Sequence, residues 1–238
     1  MIPKLIHQIW IQGGDGLPTP PASLAAVAHT WRNLDESWAY RLWEDRDIDS
    51  LFAELRPDLL SLYRSYPYAV QKADAGRYLI LYSQGGCYVD FDIECVRPPE
   101  VLLDNDLILA PTEPFGTAID FMMAVPGHDF FTRVLDELPR SRLRWHRSYV
   151  PRHFRVMCGT GSLHLTRVWR ASGGFAGARL LTAGEYGHGE PDEALVHHIE
   201  GNSWAGWDTH ALVLLQNHWR KLVLASLILV VALALWLR

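Results

Sequence analysis

The stretch Gly85-Gly86-Cys87-Tyr88-Val89-Asp90-Phe91-Asp92-Ile93-Glu94 constrains this chain more than any other. Read as one strand, it places Tyr88, Asp90, Asp92 and Glu94 on one face and Cys87, Val89, Phe91, Ile93 and Cys95 on the other. The apolar face suits a core. The other lines up three carboxylates at roughly 6.6 Å intervals. Such a row repels itself unless it stands in water or holds a cation. Hard oxygen ligands suit Mg²⁺ or Mn²⁺, which keep positions open for substrate phosphates.

The surrounding pattern sets the fold class. Leu5 to Ile11 reads as a buried strand ending at Gly13-Gly14-Asp15-Gly16, Ser23 to Asn33 as a helix, and Ala39 to Trp43 as a short strand. Asp47 to Leu62 carries apolar residues at helical spacing with a break near Pro57, and Ala69 to Ser83 predicts a helix closed by Gly85-Gly86. Leu107 to Ala110 and Phe121 to Val125 read as further strands, Asp129 to Leu138 and part of Gly159 to Ala171 as helices, and Thr182 to Gly201 as loop. Strands alternating with helices predict an α/β fold built on a mostly parallel sheet. A chain of 238 residues with 49% hydrophobic and 21% charged residues can bury one sizeable core.

Several classes are disfavoured. The net charge of −5 gives no electrostatic footprint for nucleic acid. Cys87, Cys95 and Cys158 are odd in number and form no CxxC pair, which argues against a disulfide scaffold or a structural zinc site. Eleven histidines invite a zinc-hydrolase reading, but no HExxH occurs, nor does a GxSxG elbow or a P-loop. Leu222 to Leu237 is apolar except for Ser226 and is bounded by Arg220-Lys221 and Arg238. As a helix it would reach about 24 Å, short of a hydrocarbon core of about 30 Å but extendable by snorkelling cations. The expectation is a domain over 1–215 and a single-pass C-terminal anchor over 216–238, with the domain on the cytoplasmic side because no signal peptide precedes it.

Asp74 and Arg77 share one face of the helix that feeds the acidic stretch. Alone, such a pair is a surface salt bridge worth well under about 1 kcal/mol. Its position ahead of an acidic strand end, where open α/β sheets bind ligands, marks both as candidate site residues.

Three segments in order, Ile2-Pro3-Lys4-Leu5-Ile6-His7-Gln8-Ile9-Trp10, Ala73-Asp74-Ala75-Gly76-Arg77-Tyr78 and Gly85 to Asp92, resemble the glycosyltransferases with a DXD sugar-binding motif. The resemblance is greatest to family 32, with its initiating α-1,6-mannosyltransferases and inositol phosphoceramide mannosyltransferases. It implies a GT-A fold, a nucleotide-sugar donor (GDP-mannose or a UDP-hexose), Mn²⁺ or Mg²⁺, and transfer that retains the anomeric configuration. It further implies that Trp10 stacks on the base, Asp74 and Arg77 bind the donor sugar or its phosphate, and Tyr88 lines the nucleotide site. By the same resemblance Asp92 binds the metal directly and Asp90 indirectly. Asp120 stands where relatives often carry Asn, and Ser162 replaces Pro in a Thr-Gly-Pro turn that here reads Thr160-Gly161-Ser162. His198, Asn202, Ser203 and Trp204 resemble a late loop that closes over the donor phosphates. The tail suggests a membrane-associated acceptor, a lipid before a glycan. The rival expectation is a catalytically silent, membrane-anchored protein that binds sugar nucleotides or carbohydrate.

Overall fold

The computed structural model describes residues 1–11, 19–112, 115–187, 193–199, 208, 209 and 218. Strand β1 (Leu5–Ile9) leads through helix α1 (Ala22–Arg32) to β2 (Ala39–Trp43), which pairs parallel to β1. Helices α2 (Asp45–Leu55), α3 (Pro57–Arg64) and α4 (Ala69–Gln84) then carry the chain back across to β3 (Gly86–Val89), parallel to β1 on its other side. After β4 (Ile93–Cys95) come β5 (Leu107–Pro111), β6 (Thr117–Ala124) and helices α5 (Asp129–Asp136) to α8, of which α6 spans Leu138–Trp145, α7 Arg152–Gly159 and α8 Ser162–Ser172. Strand β7 (Ala178–Leu180) closes the edge beside β5, and β8 (Val196–His198) pairs with β4.

The main sheet has the order β2-β1-β3-β6-β5-β7. Only β6 runs antiparallel to its neighbours, so the sheet is parallel in its other five strands. Side chains alternate between two cores. Tyr88, Leu107, Leu109 and Met122 face α4 and α5, while Cys87, Val89, Ile108, Phe121 and Met123 face the opposite layer with Ile6 and Trp31.

Helix α4 is buried from Gln71 through Leu81 at most positions, polar ones included. It seats against α2 closely enough that a Cβ on Gly76 would come within 2.8 Å of the Ile48 side chain, with Ile9 of β1 next at 3.4 Å. Gly85 ends it at φ +63, and Gly86 follows at φ +88, where a Cβ would lie 2.4 Å from the Leu5 carbonyl oxygen. Only glycine permits this close turn from helix to strand.

The expected elements recur with small shifts at their ends, and Pro57 does separate α2 from α3. The chief correction concerns the acidic stretch. It is not one strand: β3 stops at Val89, Asp90 to Asp92 form a turn closed by the Ile93 amide on the Asp90 carbonyl (3.3 Å), and β4 leaves for a separate two-stranded ribbon. Glu94 therefore does not share a face with Asp90 and Asp92; it lies 3.8 Å from His197 on the ribbon. The expected anchor over 216–238, with its apolar run 222–237, lies outside the described residues save for 218. Among the described residues no helix is long and apolar enough to cross a membrane.

Two buried imidazoles tie these layers together. His7 donates from Nε2 to the Gly85 carbonyl (2.9 Å) and accepts the Trp43 indole N–H at Nδ1 (3.1 Å). His164 donates to the Val134 carbonyl (3.1 Å) and accepts from the Ser141 hydroxyl (2.9 Å). Burial lowers the pKa of each from 6.5 to about 4. As pH falls below the usual histidine range the unfolded chain takes up these protons first, so the fold loses stability between about pH 6.5 and 4. The urea midpoint should fall between about pH 7 and pH 4.5, and His164→Gln should reduce that slope; an unchanged slope would show that His164 is not held neutral.

Candidate active site

The chain reverses its lateral direction at β1, going first to β2 and then back past β1 to β3. Crevices at such switch points, outside the carboxyl ends of parallel strands, are where open sheets bind ligands. A cleft of about 390 Å³ opens there. Trp10 and Ile11 enter it beyond the end of β1, Asp90 to Asp92 beyond the end of β3, and Ile119 and Asp120 from β6. Asp74 and Arg77 reach it from α4, and Arg152, Val156 and Met157 from α7.

Arg77 is the hub. Its Nη1 donates to Asp90 Oδ2 (3.0 Å) and to the Ile119 carbonyl (2.8 Å), and its Nη2 lies 3.2 Å from Asp74 Oδ1. The guanidinium sits 4.6 Å from the Tyr88 ring centroid. Side-chain exposure is 4% for Arg77 and 1% for Asp74, so the i,i+3 pair is a buried element and no surface salt bridge. Asp74 Oδ2 accepts the Thr160 hydroxyl at 2.7 Å, and the Tyr78 hydroxyl holds the Thr160 carbonyl at 2.7 Å. Burial raises the Asp74 pKa to about 6 even against Arg77 and Thr160.

Asp90 is fixed on both oxygens, by Arg77 and by the Tyr88 hydroxyl at 2.5 Å. Its amide donates to the Asp120 carbonyl (2.8 Å), which extends the β3–β6 pairing by one residue. Burial raises the Asp90 pKa to about 7; Arg77 opposes the shift, and Asp92 and Asp120 add to it. Tyr88, expected to line the nucleotide site, is 1% exposed and serves as a support beneath Asp90.

Asp92 differs. Its Oδ2 lies 3.4 Å from His198 Nε2, while its Oδ1 is buried without a hydrogen-bond partner. His198 comes from β8, where it pairs with Ile93, and the Ile199 amide donates to the Asp92 carbonyl (2.8 Å). Asp120 accepts the Tyr186 hydroxyl at 2.5 Å, and burial raises its pKa. Asp90, Asp92 and Asp120 line one cleft, and the unsatisfied buried oxygen of Asp92 is a hard donor of the kind a divalent cation takes. Among the described residues no cluster of three His, Cys, Asp or Glu side chains could hold a metal unaided.

Trp10 stands at the cleft edge, its ring held edge-on by Phe91 (5.4 Å, 70°), with Nε1 buried and unpartnered. Asn202, Ser203 and Trp204 lie outside the described residues. Sequence reasoning missed Tyr186, which sits in a stretch read only as loop, and Arg152, whose Nε is buried without a partner while its guanidinium lies 4.7 Å from the Tyr68 ring centroid. Thr160 was noticed as part of a turn, but its bond to Asp74 spans 86 positions and leaves no local signal.

Residues 21–109 match the family model described as glycosyltransferase sugar-binding region containing DXD motif. Inositol phosphoceramide mannosyltransferase 1 of Schizosaccharomyces pombe is 31% identical over 215 residues, covering 89% of this chain and 65% of that protein. A mannosyl phosphorylinositol ceramide synthase of Saccharomyces cerevisiae is 30% identical, covering 92% of this chain and 57% of that protein. The chain therefore spans roughly six-tenths of the length of these relatives. Among solved structures, the PaToxG glycosyltransferase shares the fold at a TM-score of 0.50 and 14% identity, covering 72% of this chain and 70% of that one. The Asp90-x-Asp92 pair at the cleft lies inside the matched segment, so residues 21–109 carry the glycosyltransferase sugar-binding region with its DXD motif intact.

Proposed function

We propose that this chain, as a GT-A type enzyme, moves a hexose, mannose before glucose or galactose, from a nucleotide-sugar to a membrane lipid, with retention of the anomeric configuration. The observation that carries the reading is the buried Asp74–Arg77–Asp90 network with the free oxygen of Asp92 beside it. The names of the relatives support mannose and an inositol phosphoceramide-like acceptor, and family resemblance supports retention. The apolar run 222–237 supports an anchor that would keep the domain at such an acceptor.

Asp92 would hold Mn²⁺ or Mg²⁺ directly, with Asp90 oriented behind it by Tyr88 and Arg77. A bound divalent cation supplies positive charge where the departing diphosphate becomes more negative. Arg77 and Asp74 orient the donor sugar. Arg77 is already committed to two carboxylates and a carbonyl, so its largest contribution is to fix their geometry. Trp10 offers a ring edge-locked by Phe91 for stacking on the base. Asp120 faces the same cleft from β6, steadied by Tyr186.

Release of nucleoside diphosphate from a panel of GDP- and UDP-sugars should require Mn²⁺ or Mg²⁺ and a single preferred donor. Asp92→Asn should lower kcat by on the order of 10²–10³ while leaving the thermal midpoint nearly unchanged. Metal-independent release by the wild type would overturn the assignment.

Thr160→Val should strand Asp74 Oδ2, cost about 1–3 kcal/mol of stability and reduce kcat/KM about tenfold, whereas Thr160→Ser keeps the bond and should restore both. Equal behaviour of Val and Ser would remove the positioning role.

The raised Asp90 pKa fixes a further outcome. Below about pH 7 its carboxyl is largely protonated, and a cation favours the ionised form. Mn²⁺ binding followed calorimetrically in buffers of different ionisation enthalpy should therefore release protons near pH 6 and few at about pH 8.5. Proton release that does not change with pH would contradict it.

A further inference from the structure

Between Leu138 and Gly184 the chain carries nine of its 22 basic residues, all arginine, and none of its 27 acidic ones. The charge is segregated, and the net value of −5 conceals it. Helix α6 turns Leu138 and Ser141 inward. At helical spacing on its other side, Arg140, Leu143, Arg144 and, just past its end, Arg147 are exposed. Leu143 is 76% exposed, and Tyr149, just beyond, is 77% exposed. Arg140 pairs with Glu137 at 2.6 Å, but among the described residues no acid pairs with Arg144 or Arg147. An apolar side chain set between cations, flanked by an exposed Tyr, is unsuited to water and well suited to the boundary between lipid headgroups and acyl chains.

We propose that this stripe, Arg140, Leu143, Arg144 and Arg147 with Tyr149, docks on an anionic lipid bilayer. Charge complementarity selects that partner. The arginines pair with lipid phosphates and carboxylates, while Leu143 and Tyr149 enter the interface. The consequence reaches the cleft, because α6 packs on α7 and α7 supplies Arg152, Val156 and Met157 to the cleft wall. Docking through α6 holds that wall at the lipid surface. The proposal does not depend on which sugar is transferred, or on whether transfer occurs.

The test uses the full chain with vesicles of phosphatidylcholine alone or mixed with phosphatidylserine. Amide hydrogen exchange over residues 140–150 reports docking locally, so an anchor elsewhere in the chain cannot mimic it. Exchange should slow on the mixed vesicles only, and the protection should be lost at high salt. In Arg140→Gln/Arg144→Gln/Arg147→Gln the protection should vanish. Its preference for mixed over neutral vesicles in flotation should fall by about a hundredfold, at roughly fivefold per arginine. Unchanged exchange in the helix α4 segment shows that the variant is folded. Equal exchange of 140–150 on both vesicle types, or a triple variant that keeps its protection, would overturn the proposal.

Discussion

A guanidinium buried to 4% exposure has to be neutralised where it stands, and the cleft is organised around meeting that demand at Arg77. Asp74 comes from the same helix, Asp90 from the end of β3, the Ile119 carbonyl from β6, and the Tyr88 ring from inside the sheet. The partners come from α4 itself, from β3 and its end, and from β6, so the cation fixes the relation of α4 to two strands at the cleft. Removing one partner would leave a buried charge uncompensated, far costlier than losing a surface pair. Rigidity of this kind suits a site that has to hold carboxylates in place before any substrate arrives.

The same arrangement explains why the acidic stretch bends. Asp90 still belongs to the sheet through its amide on Asp120, but its carboxylate is drawn to Arg77 and Tyr88. The turn that follows separates Asp92 from the sheet and directs it toward His198. A straight strand would have left Asp92 in line with Glu94. The bend leaves Asp92 with an unpaired oxygen in the cleft and moves Glu94 out to the ribbon. Trp31 secures the far side of the bend, its indole N–H donating to the Ile93 carbonyl at 2.7 Å.

Local order was legible in the sequence, and distance was not. The α4–β3 unit could be read because helix periodicity, two glycines and a strand of alternating side chains succeed one another without interruption. The bend at Asp90 was hidden because burial still alternates through it: Val89, Phe91 and Ile93 are all buried although the backbone has turned. Asp74 and Arg77 were recognisable as a pair at i,i+3, but not as a buried one, since Thr160, Ile119 and Asp90 reach them from separate elements. Strand β7, three residues long, and helix α7, eight residues long, are both shorter than the stretch over which a period can be read.

The cleft also joins two regions of opposite charge. Its floor is acidic, with Asp74, Asp90, Asp92 and Asp120 set against the single hub cation, while the wall from α7 belongs to a run with arginines and no acids. A floor of that sign repels an anionic ligand unless a cation stands between them. The opposite wall needs no such mediator. Arg152, with a buried unpartnered Nε and its guanidinium 4.7 Å from the Tyr68 ring centroid, sets a cation beside Val156 and Met157 on that wall. Opposite charges on the two walls make the two sides of the cleft unequal toward any charged ligand. An anionic group is favoured at one wall and, with no cation between, repelled at the other.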